Sequence, residues 1–285
     1  MIEQRVAAAV NRPVRSLRRV ETRGYAMAYH AIAEFDDGST ACVKAGAEEI
    51  TSQFLRDELR VYRSVQAPFL PRLLGYDEAD PPFLVLEDLS DSRWPPPWDA
   101  ASIAAVRATL EVVWSTPPPD WLPPIADERE RLVGGWAEIE ADSQPFLSLG
   151  LCTAEWLERA LPVLRHAAET APIEGDTLIH LDVRSDNIAL TDRGAVLVDW
   201  NFAHRGNSDF DLAAWLPSLH VEGGPPPDEL LPAAGGHAAA LAGFWGARAG
   251  LPPPPTAPQV RKIQRDQLEV ALDWSCRALD LELER

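Results

Sequence analysis

Residues 178–201 read LIHLDVRSDNIALTDRGAVLVDWN, and this stretch decides the fold that we expect. Four polar residues fall within eight positions: His180, Asp182, Arg184 and Asn187. Asp199 follows twelve residues after Asn187, directly behind the apolar run at 195–198. Asp, Arg and Gly at 192–194 indicate a tight turn. We therefore expect a loop, a strand, a turn and a second strand, with Asp182, Asn187 and Asp199 facing one space at the mouth of a hairpin.

These groups suit phosphoryl transfer from a nucleotide. One carboxylate accepts the proton of an attacking hydroxyl, while an amide and a second carboxylate hold magnesium on the phosphates. Asp182 is the expected base. Asn187 and Asp199 are the expected Mg²⁺ ligands, because a hard cation prefers oxygen ligands and keeps some of its waters. Arg184 is expected to reach the transferring phosphate as a fixed cation. The alternative is a solvated polar loop between two strands.

The motif H-x-D-x-x-x-x-N, followed by a strand and an aspartate, resembles the aminoglycoside phosphotransferase and choline kinase group of small-molecule kinases, relatives of the protein kinases. Residues 206–213, GNSDFDLA, resemble the group's second signature, G-D-P-x-x-D-L-A, with Asn207 and Ser208 as departures. The chain also has D-W-N at 199–201 where protein kinases have D-F-G. The resemblance implies structural roles at the site for His180 and Asp211.

The same resemblance implies an α+β, bilobal, protein-kinase-like fold. Residues 1–90 would form the nucleotide-binding lobe, an antiparallel sheet with one helix that ends in a hinge strand. Residues 91–285 would form a mainly helical lobe with the catalytic loop and the acceptor site. Alternation and turn residues predict strands at 17–22, 26–35, 40–44, 72–76 and 83–89, and helical spacing predicts helices at 48–65, 100–113, 154–169, 236–248 and 260–283.

Lysine is rare in this chain: of 26 basic residues, only Lys44 and Lys262 are lysines. A compact ammonium that fits under a nucleotide phosphate is one reason to retain a lysine at position 44. The alternative is that Lys44 has no function and arose by neutral drift at an exposed strand end. The resemblance implies that Lys44 pairs with Glu58 on the helix at 48–65, with Glu48 and Glu49 as rival partners.

The resemblance further implies that ATP is held by backbone groups of the hinge, namely the carbonyl of Glu87 and the N–H of Leu89. It makes residues 23–27, which include Gly24, the phosphate-covering loop, although an ordinary hairpin turn is an equal reading. Side chains two apart on a strand share a face, so Cys42 faces the same side as Lys44. In the resemblance a small residue at this offset covers the adenine.

Composition limits the partners. Forty-four acidic residues against 26 basic ones give a formal charge of −18. This charge disfavours nucleic acid, whose binding depends on cationic contacts to phosphate, and anionic membranes, and it favours steering of a cationic acceptor. The three cysteines are far apart in the sequence and suggest reduced thiols. No segment has the unbroken apolar length of a membrane span, so we expect a cytoplasmic protein.

The acceptor is the least determined part of the site. Acids along the last predicted helix, Asp266, Glu269 and Asp273, match the habit of aminoglycoside kinases, and Asp209 is a further candidate; a solvated helix face is the alternative. We expect an ATP- and Mg²⁺-dependent kinase for a hydroxyl of a small cationic molecule, an aminoglycoside-type antibiotic or amino sugar first, and a choline-like or other metabolite second.

Two other classes remain open. In a metal-dependent phosphoesterase, His180, Asp182 and Asp199 would be metal ligands, but Lys44 and the hinge would have no purpose. A catalytically silent pseudokinase would keep the fold and bind a ligand. The presence of the lysine, the base, the amide and the metal acid counts against that reading.

Overall fold

The structure is a computed structural model that describes residues 2–20, 29–254 and 257–284. The fold is α+β. Its strands are β1 Val14–Arg19, β2 Tyr29–Phe35, β3 Thr40–Ala45, β4 Leu73–Asp77, β5 Phe83–Glu87, β6 Thr177–Ile179, β7 Ile188–Thr191, β8 Gly194–Leu197 and β9 His204–Gly206. Its helices are α1 Ile2–Val10, α2 Glu49–Ser64, α3 Ala100–Ser115, α4 Arg129–Val133, α5 Gly135–Ala141, α6 Gln144–Leu147, α7 Ala154–Glu169, α8 Ser208–Val221, α9 Pro227–Leu230, α10 Gly235–Ala249 and α11 Val260–Ala278. Single 3₁₀ turns lie at 125–128, 185–187 and 200–202.

The chain packs into two compact units. The first comprises Met1–Pro95, Ala101–Val112 and Ser185–Ala203, and the second comprises Pro96–Ala100, Val113–Arg184 and His204–Arg285. The hairpin of β7 and β8 belongs to the first unit by packing, because Leu89 shares a small buried cluster with Ala189 and Val196. The functional division into residues 1–90 and 91–285 stays a prediction.

A five-stranded antiparallel sheet forms the centre of the first unit, with strand order β1-β2-β3-β5-β4. Alternation along the strands places alanine, valine and phenylalanine side chains on one buried face. Helix α1 covers this face and inserts Val6 into it. Gly75 on β4 allows this close approach, because a Cβ there would lie 2.7 Å from the backbone oxygen of Ala9.

Helix α2 follows β3 and carries the glutamate that the sequence singles out. It begins after a capping box formed by Glu48 and Thr51, in which the Glu48 N–H donates to the Thr51 hydroxyl at 3.0 Å. Its apolar stripe, which includes Leu55, Leu59 and Tyr62, is buried. The observed bounds agree with the predicted helix at 48–65 to within a residue at each end.

The hairpin of β7 and β8 also forms as expected. Its strands pair from Ile188 opposite Leu197 to Thr191 opposite Gly194, which leaves Asp192 and Arg193 as a two-residue turn. Gly194 has a φ of 109°, a conformation that favours glycine. The turn therefore requires the glycine, but its geometry does not require an arginine.

In the second unit, α10 packs against α5, α7 and α11, while β6 and β9 form a short ribbon. Tryptophans 136, 215 and 274 are fully buried there, as expected for core residues. None of the helices within residues 2–20, 29–254 and 257–284 is both long and apolar enough to cross a membrane.

Several element predictions need correction, including the end of β5, which lies at Glu87 and not at residue 89. Helix α1 was not predicted, since only Val6 of its nine residues is buried and the pattern is short. The first strand begins at Val14 and not at residue 17. The last helix ends at Ala278 and not at 283, because Asp280 adopts a left-handed backbone with φ 55° and the Leu281 N–H closes the helix end on the Cys276 carbonyl.

Candidate active site

Lys44 on β3 is the centre of a partly buried charge network in the first unit. Its Nζ lies 2.6 Å from Oε2 of Glu58 and 2.6 Å from Oδ1 of Asp199. The ion pair between Lys44 and Glu58 that the resemblance implied is therefore present, and Glu48 and Glu49 do not take this place. One compact ammonium bridges two carboxylates that are 141 residues apart in the chain.

Glu58 is 1% exposed and binds donors at both of its oxygens. While Oε2 receives Lys44, Oε1 accepts the Tyr62 hydroxyl at 2.7 Å and the backbone N–H of Asp199 at 3.1 Å. Tyr62 lies one turn further along α2, where residues four apart face each other. Because all these partners are donors, they favour the ionised carboxylate.

Burial and charge oppose each other in this network. Burial alone lowers the pKa of Lys44, but the adjacent Asp199 and Glu58 carboxylates outweigh it and hold that pKa above its ordinary value. Burial raises the pKa of Glu58, and Lys44 opposes that shift. The pKa of Tyr62 is also raised, first by burial and then by the charge of Glu58. The two carboxylates thus favour the charged form of the lysine.

Asn187 and Asp199 lie at the same end of the β7–β8 hairpin. The Val198 N–H donates to the Asn187 carbonyl at 3.0 Å, which fixes the residue before Asp199 against Asn187. Asn187 is 4% exposed, whereas the side chain of Asp199 is 37% exposed. An amide oxygen and a carboxylate are the hard donors that suit Mg²⁺. The part of the chain that the structure describes has no cluster of three or more His, Cys, Asp or Glu suited to a metal ion.

The expected hinge lies at the end of β5, which pairs with β3 through Ala41 and Glu87. Just beyond it, the Leu89 carbonyl accepts the Ser92 N–H and the Trp94 indole N–H, both at 3.0 Å. Cys42 and Lys44 alternate with buried Ala41 and Val43, so they share the other face of β3. Gly24 and the predicted phosphate-covering loop at 23–27 lie outside the described residues.

In the second unit, Asp211 organises the beginning of the predicted catalytic loop. It is fully buried at the first turn of α8 and accepts the backbone N–H groups of His180 at 3.2 Å and Leu181 at 2.7 Å. The indole N–H of Trp114 donates to it at 2.9 Å. Burial raises the pKa of Asp211, and these donors oppose the shift.

The loop then presents Asp182 with two local partners. The Asp182 N–H donates to Nδ1 of buried His180 at 3.2 Å, which places the proton of a neutral imidazole on the other ring nitrogen. Arg184 Nε lies 3.0 Å from Oδ1 of Asp182. Arg184 thus neighbours the candidate base directly, and its contact with a phosphate stays a prediction.

The acids named for the acceptor have neighbours of their own. Asp266 pairs with Lys262 at 2.6 Å and Glu269 pairs with Arg265 at 3.0 Å, both one turn apart along α11. Asp273 on the same helix is half-buried, and Asp209 is exposed at the start of α8. Their role in acceptor binding stays a prediction.

Three residues that contact candidate site residues within their own units were not predicted from the sequence: Tyr62, Trp114 and Arg193. The spacing of Tyr62 from Glu58, one helical turn, could have suggested their contact. Trp114 carries no such signal, since its partner lies 97 residues away. Arg193 was seen only as a turn residue, although its guanidinium binds the side chain of Glu87 at 2.7 and 3.0 Å.

Comparisons with known proteins agree with this architecture. A search of curated protein sequences finds no match. Among solved structures, the chain is similar to a protein assigned as a fructosamine-3-kinase of Thermobifida fusca (TM-score 0.56, 20% identity, 95% of this chain and 98% of that one). It is also similar to a choline kinase of Cryptosporidium parvum (TM-score 0.55, 10% identity, 93% and 88%). A third similar structure is an amicoumacin kinase in complex with AMP-PNP and Ca²⁺ (TM-score 0.55, 11% identity, 94% and 92%).

At these identities the similar structures support the fold alone. The family is given by a sequence model, that of the phosphotransferase enzyme family, which matches residues 36–250. This range begins before β3 and ends after α10, so it includes Lys44, the predicted catalytic loop and both signatures. The chain belongs to the phosphotransferase enzyme family.

Proposed function

We propose that this phosphotransferase moves the γ-phosphoryl group of ATP to a hydroxyl of a small cationic molecule, with Mg²⁺ bound to the nucleotide. The observation that carries the proposal is the network of Lys44, Glu58 and Asp199. Placing the largely buried Lys44 against the buried carboxylate of Glu58 is costly in desolvation, and the structure adds a second, partly exposed carboxylate, that of Asp199, to the same ammonium. This arrangement suits a site in which the lysine binds a phosphate and a metal ion lies beside that phosphate.

The roles follow from the chemistry of each side chain. Lys44 would bind the nucleotide phosphates, and Asn187 and Asp199 would hold Mg²⁺, which supplies charge neutralisation on the phosphates. Asp182 would accept the proton of the acceptor hydroxyl as the oxygen attacks phosphorus. Arg184 would keep Asp182 in place and stabilise charge on the transferring group. Backbone groups of Glu87 and Leu89, with Cys42 on β3, would receive the adenine.

The acceptor class rests on charge. A formal charge of −18 attracts cations over distances of about a Debye length. We infer an amine-bearing acceptor, with aminoglycoside-type antibiotics and amino sugars first and choline-like metabolites second. The amicoumacin kinase with AMP-PNP and Ca²⁺ supports a nucleotide with a divalent cation, and the differing names of the similar structures favour no single acceptor.

A coupled ADP-release assay tests the proposal. Purified protein is given ATP and Mg²⁺ with aminoglycosides, amino sugars, macrolides, nucleoside antibiotics and choline-like amines in turn. We expect ADP release that requires both Mg²⁺ and one acceptor class. Nucleotide binding without ADP release for any acceptor would indicate a silent ligand-binding protein, and phosphate release from a phosphoester without nucleotide would indicate a phosphoesterase.

Asp182→Asn is the matched test of mechanism. Loss of a positioned base lowers turnover by about 10²- to 10⁴-fold, while the thermal shift with Mg²⁺ and ATP should persist because the proposed metal ligands remain. Asp176→Asn, the same substitution at an exposed site six residues earlier, is the control and should keep full activity. An Asp182→Asn enzyme that retains more than about a tenth of wild-type kcat would remove Asp182 from its role.

A further inference from the structure

The side chain of Arg193, in the turn of the β7–β8 hairpin, donates hydrogen bonds to the end of β5 and to the segment that precedes β4. Its two terminal nitrogens donate to the two carboxylate oxygens of Glu87, at 3.0 and 2.7 Å. Its Nε donates to the Pro68 carbonyl at 3.2 Å, and one terminal nitrogen also reaches the Leu70 carbonyl at 3.3 Å. A side chain at the tip of a hairpin thus connects two segments that are more than 100 residues away in the sequence.

Backbone hydrogen bonds also join the β7–β8 hairpin to the segments before β4 and after the hinge. The Leu197 N–H on β8 donates to the Phe69 carbonyl at 2.8 Å. Arg93, after the hinge, exchanges two backbone hydrogen bonds with Leu190 on β7, at 3.2 and 2.8 Å. The hairpin is therefore bound along both strands and at its turn, so the end of β5 and the hairpin form one body within the first unit.

An arginine is well suited to this position. A planar guanidinium binds a carboxylate through two parallel hydrogen bonds and so fixes angle as well as distance, which a lysine ammonium cannot do. The side chains are partly shielded, with 35% of Arg193 and 14% of Glu87 exposed. Burial raises the pKa of Glu87, but the hydrogen bonds from Arg193 and the Arg72 N–H outweigh it and leave the pKa below its ordinary value.

We infer that Arg193 is a positioning residue for the nucleotide: through Glu87 it sets the hinge at the end of β5 against the hairpin that carries Asn187 and Asp199. The inference rests on the proposed function, in which the hinge holds the adenine and the hairpin holds the metal on the phosphates. Arg193 lies at the turn, the opposite end of the hairpin from Asn187 and Asp199, and so acts through Glu87.

The test separates nucleotide binding from acceptor binding. Arg193→Met keeps an apolar side chain and removes the guanidinium. Arg193→Lys keeps the positive charge but cannot form the two parallel hydrogen bonds to Glu87. We expect Arg193→Met to raise the KM for ATP about tenfold. A change of that size corresponds to the loss of roughly one charge-assisted hydrogen bond. The KM for the acceptor should stay within twofold of wild type. Arg193→Lys should recover only part of the loss.

Arg165→Met is the matched control. Arg165 is 41% exposed and also binds two carboxylates, Glu169 at 2.7 Å and Glu140, but it lies on α7. This variant should leave both KM values unchanged. Glu87→Gln should reproduce the Arg193→Met effect, and the double variant should lose less than the sum of the two.

The failures are distinguishable. A wild-type protein that releases no ADP for any acceptor overturns the proposed function itself. A wild-type protein that is active, with an ATP KM unchanged in Arg193→Met or Glu87→Gln, overturns the positioning role alone. If Arg193→Met does not fold, Arg193→Lys and Glu87→Gln decide the question, since an unchanged ATP KM in both would also overturn it.

Discussion

Among the described residues of the candidate site, Leu181 and Asp199 have a left-handed backbone, with φ values of 64° and 67°. For residues other than glycine this conformation costs roughly 1–2 kcal/mol. In each case a buried carboxylate accepts the N–H of the strained residue: Asp211 binds Leu181 at 2.7 Å, and Glu58 binds Asp199 at 3.1 Å. Each compact unit therefore holds one strained site residue in place with one buried acid.

The sequence pointed to Glu58 only as the partner of Lys44. Its second oxygen carries an additional role, because it holds the backbone of the expected metal ligand Asp199. That contact could not be read from the sequence, since it joins a helix to a backbone N–H far along the chain. The contact of Tyr62 with Glu58 is local and could have been predicted from their spacing.

Tyr62→Phe tests whether Glu58 needs its third donor. The substitution keeps the ring and removes the hydroxyl that donates to Oε1 at 2.7 Å. A lost hydrogen bond to a buried charged group costs about 1.5–3 kcal/mol. We expect the free energy of unfolding, measured in urea, to fall by that amount, and kcat to fall with it because Asp199 is held less firmly.

Tyr76→Phe is the control for this substitution. Tyr76 on β4 is 37% exposed, and the guanidinium of Arg63 from α2 lies over its ring. Removing its hydroxyl should change neither stability nor kcat. Equal unfolding free energies for Tyr62→Phe and wild type would contradict the role assigned to the Tyr62 hydroxyl.

At the scale of the element, strand β3 determines which side chains would face the proposed nucleotide. Ala41, Val43 and Ala45 point into the core that α1 covers, whereas Cys42 and Lys44 point to the other face. This division follows from alternation and was predictable from the sequence alone. Burial, with the nearby Asp88 carboxylate, raises the pKa of Cys42 to about 11, so the thiol forms little thiolate at neutral pH.

The position of Cys42 leads to a protection experiment. Alkylation of the thiolate should be slow at pH 8 and should accelerate as pH rises toward 11. Saturating ATP with Mg²⁺ should slow alkylation of Cys42, as followed by mass spectrometry, because adenine would cover this face of β3. Cys152 and Cys276 are internal controls and should react at unchanged rates. A Cys42 that alkylates at the same rate with nucleotide would contradict the placement of adenine beneath β3.

Elements with a regular apolar period were predictable, and those without one were not. Helix α2 and strands β3, β5, β7 and β8 have strong patterns and clear turn residues, and they form where expected. Helix α1 is alanine-rich and buries only Val6, so its stability comes from packing on the sheet. The end of α11 depends on tertiary contacts, because the tail beyond it binds Trp156 through the Glu282 carbonyl and Thr153 through the Glu284 carbonyl.

At the scale of the whole molecule, the excess of acid makes each cation important. The chain has 44 acidic residues and only 26 basic ones, so there are fewer cations than carboxylates. Several arginines lie beside carboxylates whose pKa values are lowered: Arg193 beside Glu87, Arg277 beside Asp228 and Arg5 beside Asp77. Exposed pairs of this kind contribute little singly. Their sum nevertheless gives the stability of the protein a defined dependence on pH.

The direction of that dependence follows from linkage. A carboxylate whose pKa is lower in the folded state than in the unfolded state stabilises the fold above its unfolded pKa, which is about 4. The stabilisation is lost as pH falls through the folded value, because the folded protein must then bind the proton at a cost. Asp211, whose pKa burial raises, works in the opposite sense. Because the pKa values of Asp37, Asp77, Glu87, Asp88 and Asp228 are lowered, we expect the urea concentration at the unfolding midpoint to decrease as the pH falls below about 4.

Arg5→Met isolates one such pair, which joins helix α1, a helix that the sequence did not predict, to strand β4. Arg5 on α1 donates to Asp77 on β4 at 2.7 Å and lies over the ring of Phe83. The hydrogen bond from Arg5 is the main cause of the lowered pKa of Asp77, with the Ala79 N–H second. The variant should be less stable than wild type at pH 7. At pH 3 the difference should be smaller and closer to the part due to Phe83, because the unfolded chain then binds a proton at Asp77 that the ion pair with Arg5 disfavours in the fold. A loss of the same size at both pH values would mean that α1 is held by packing on Phe83 alone and that Asp77 takes no part in the acid sensitivity.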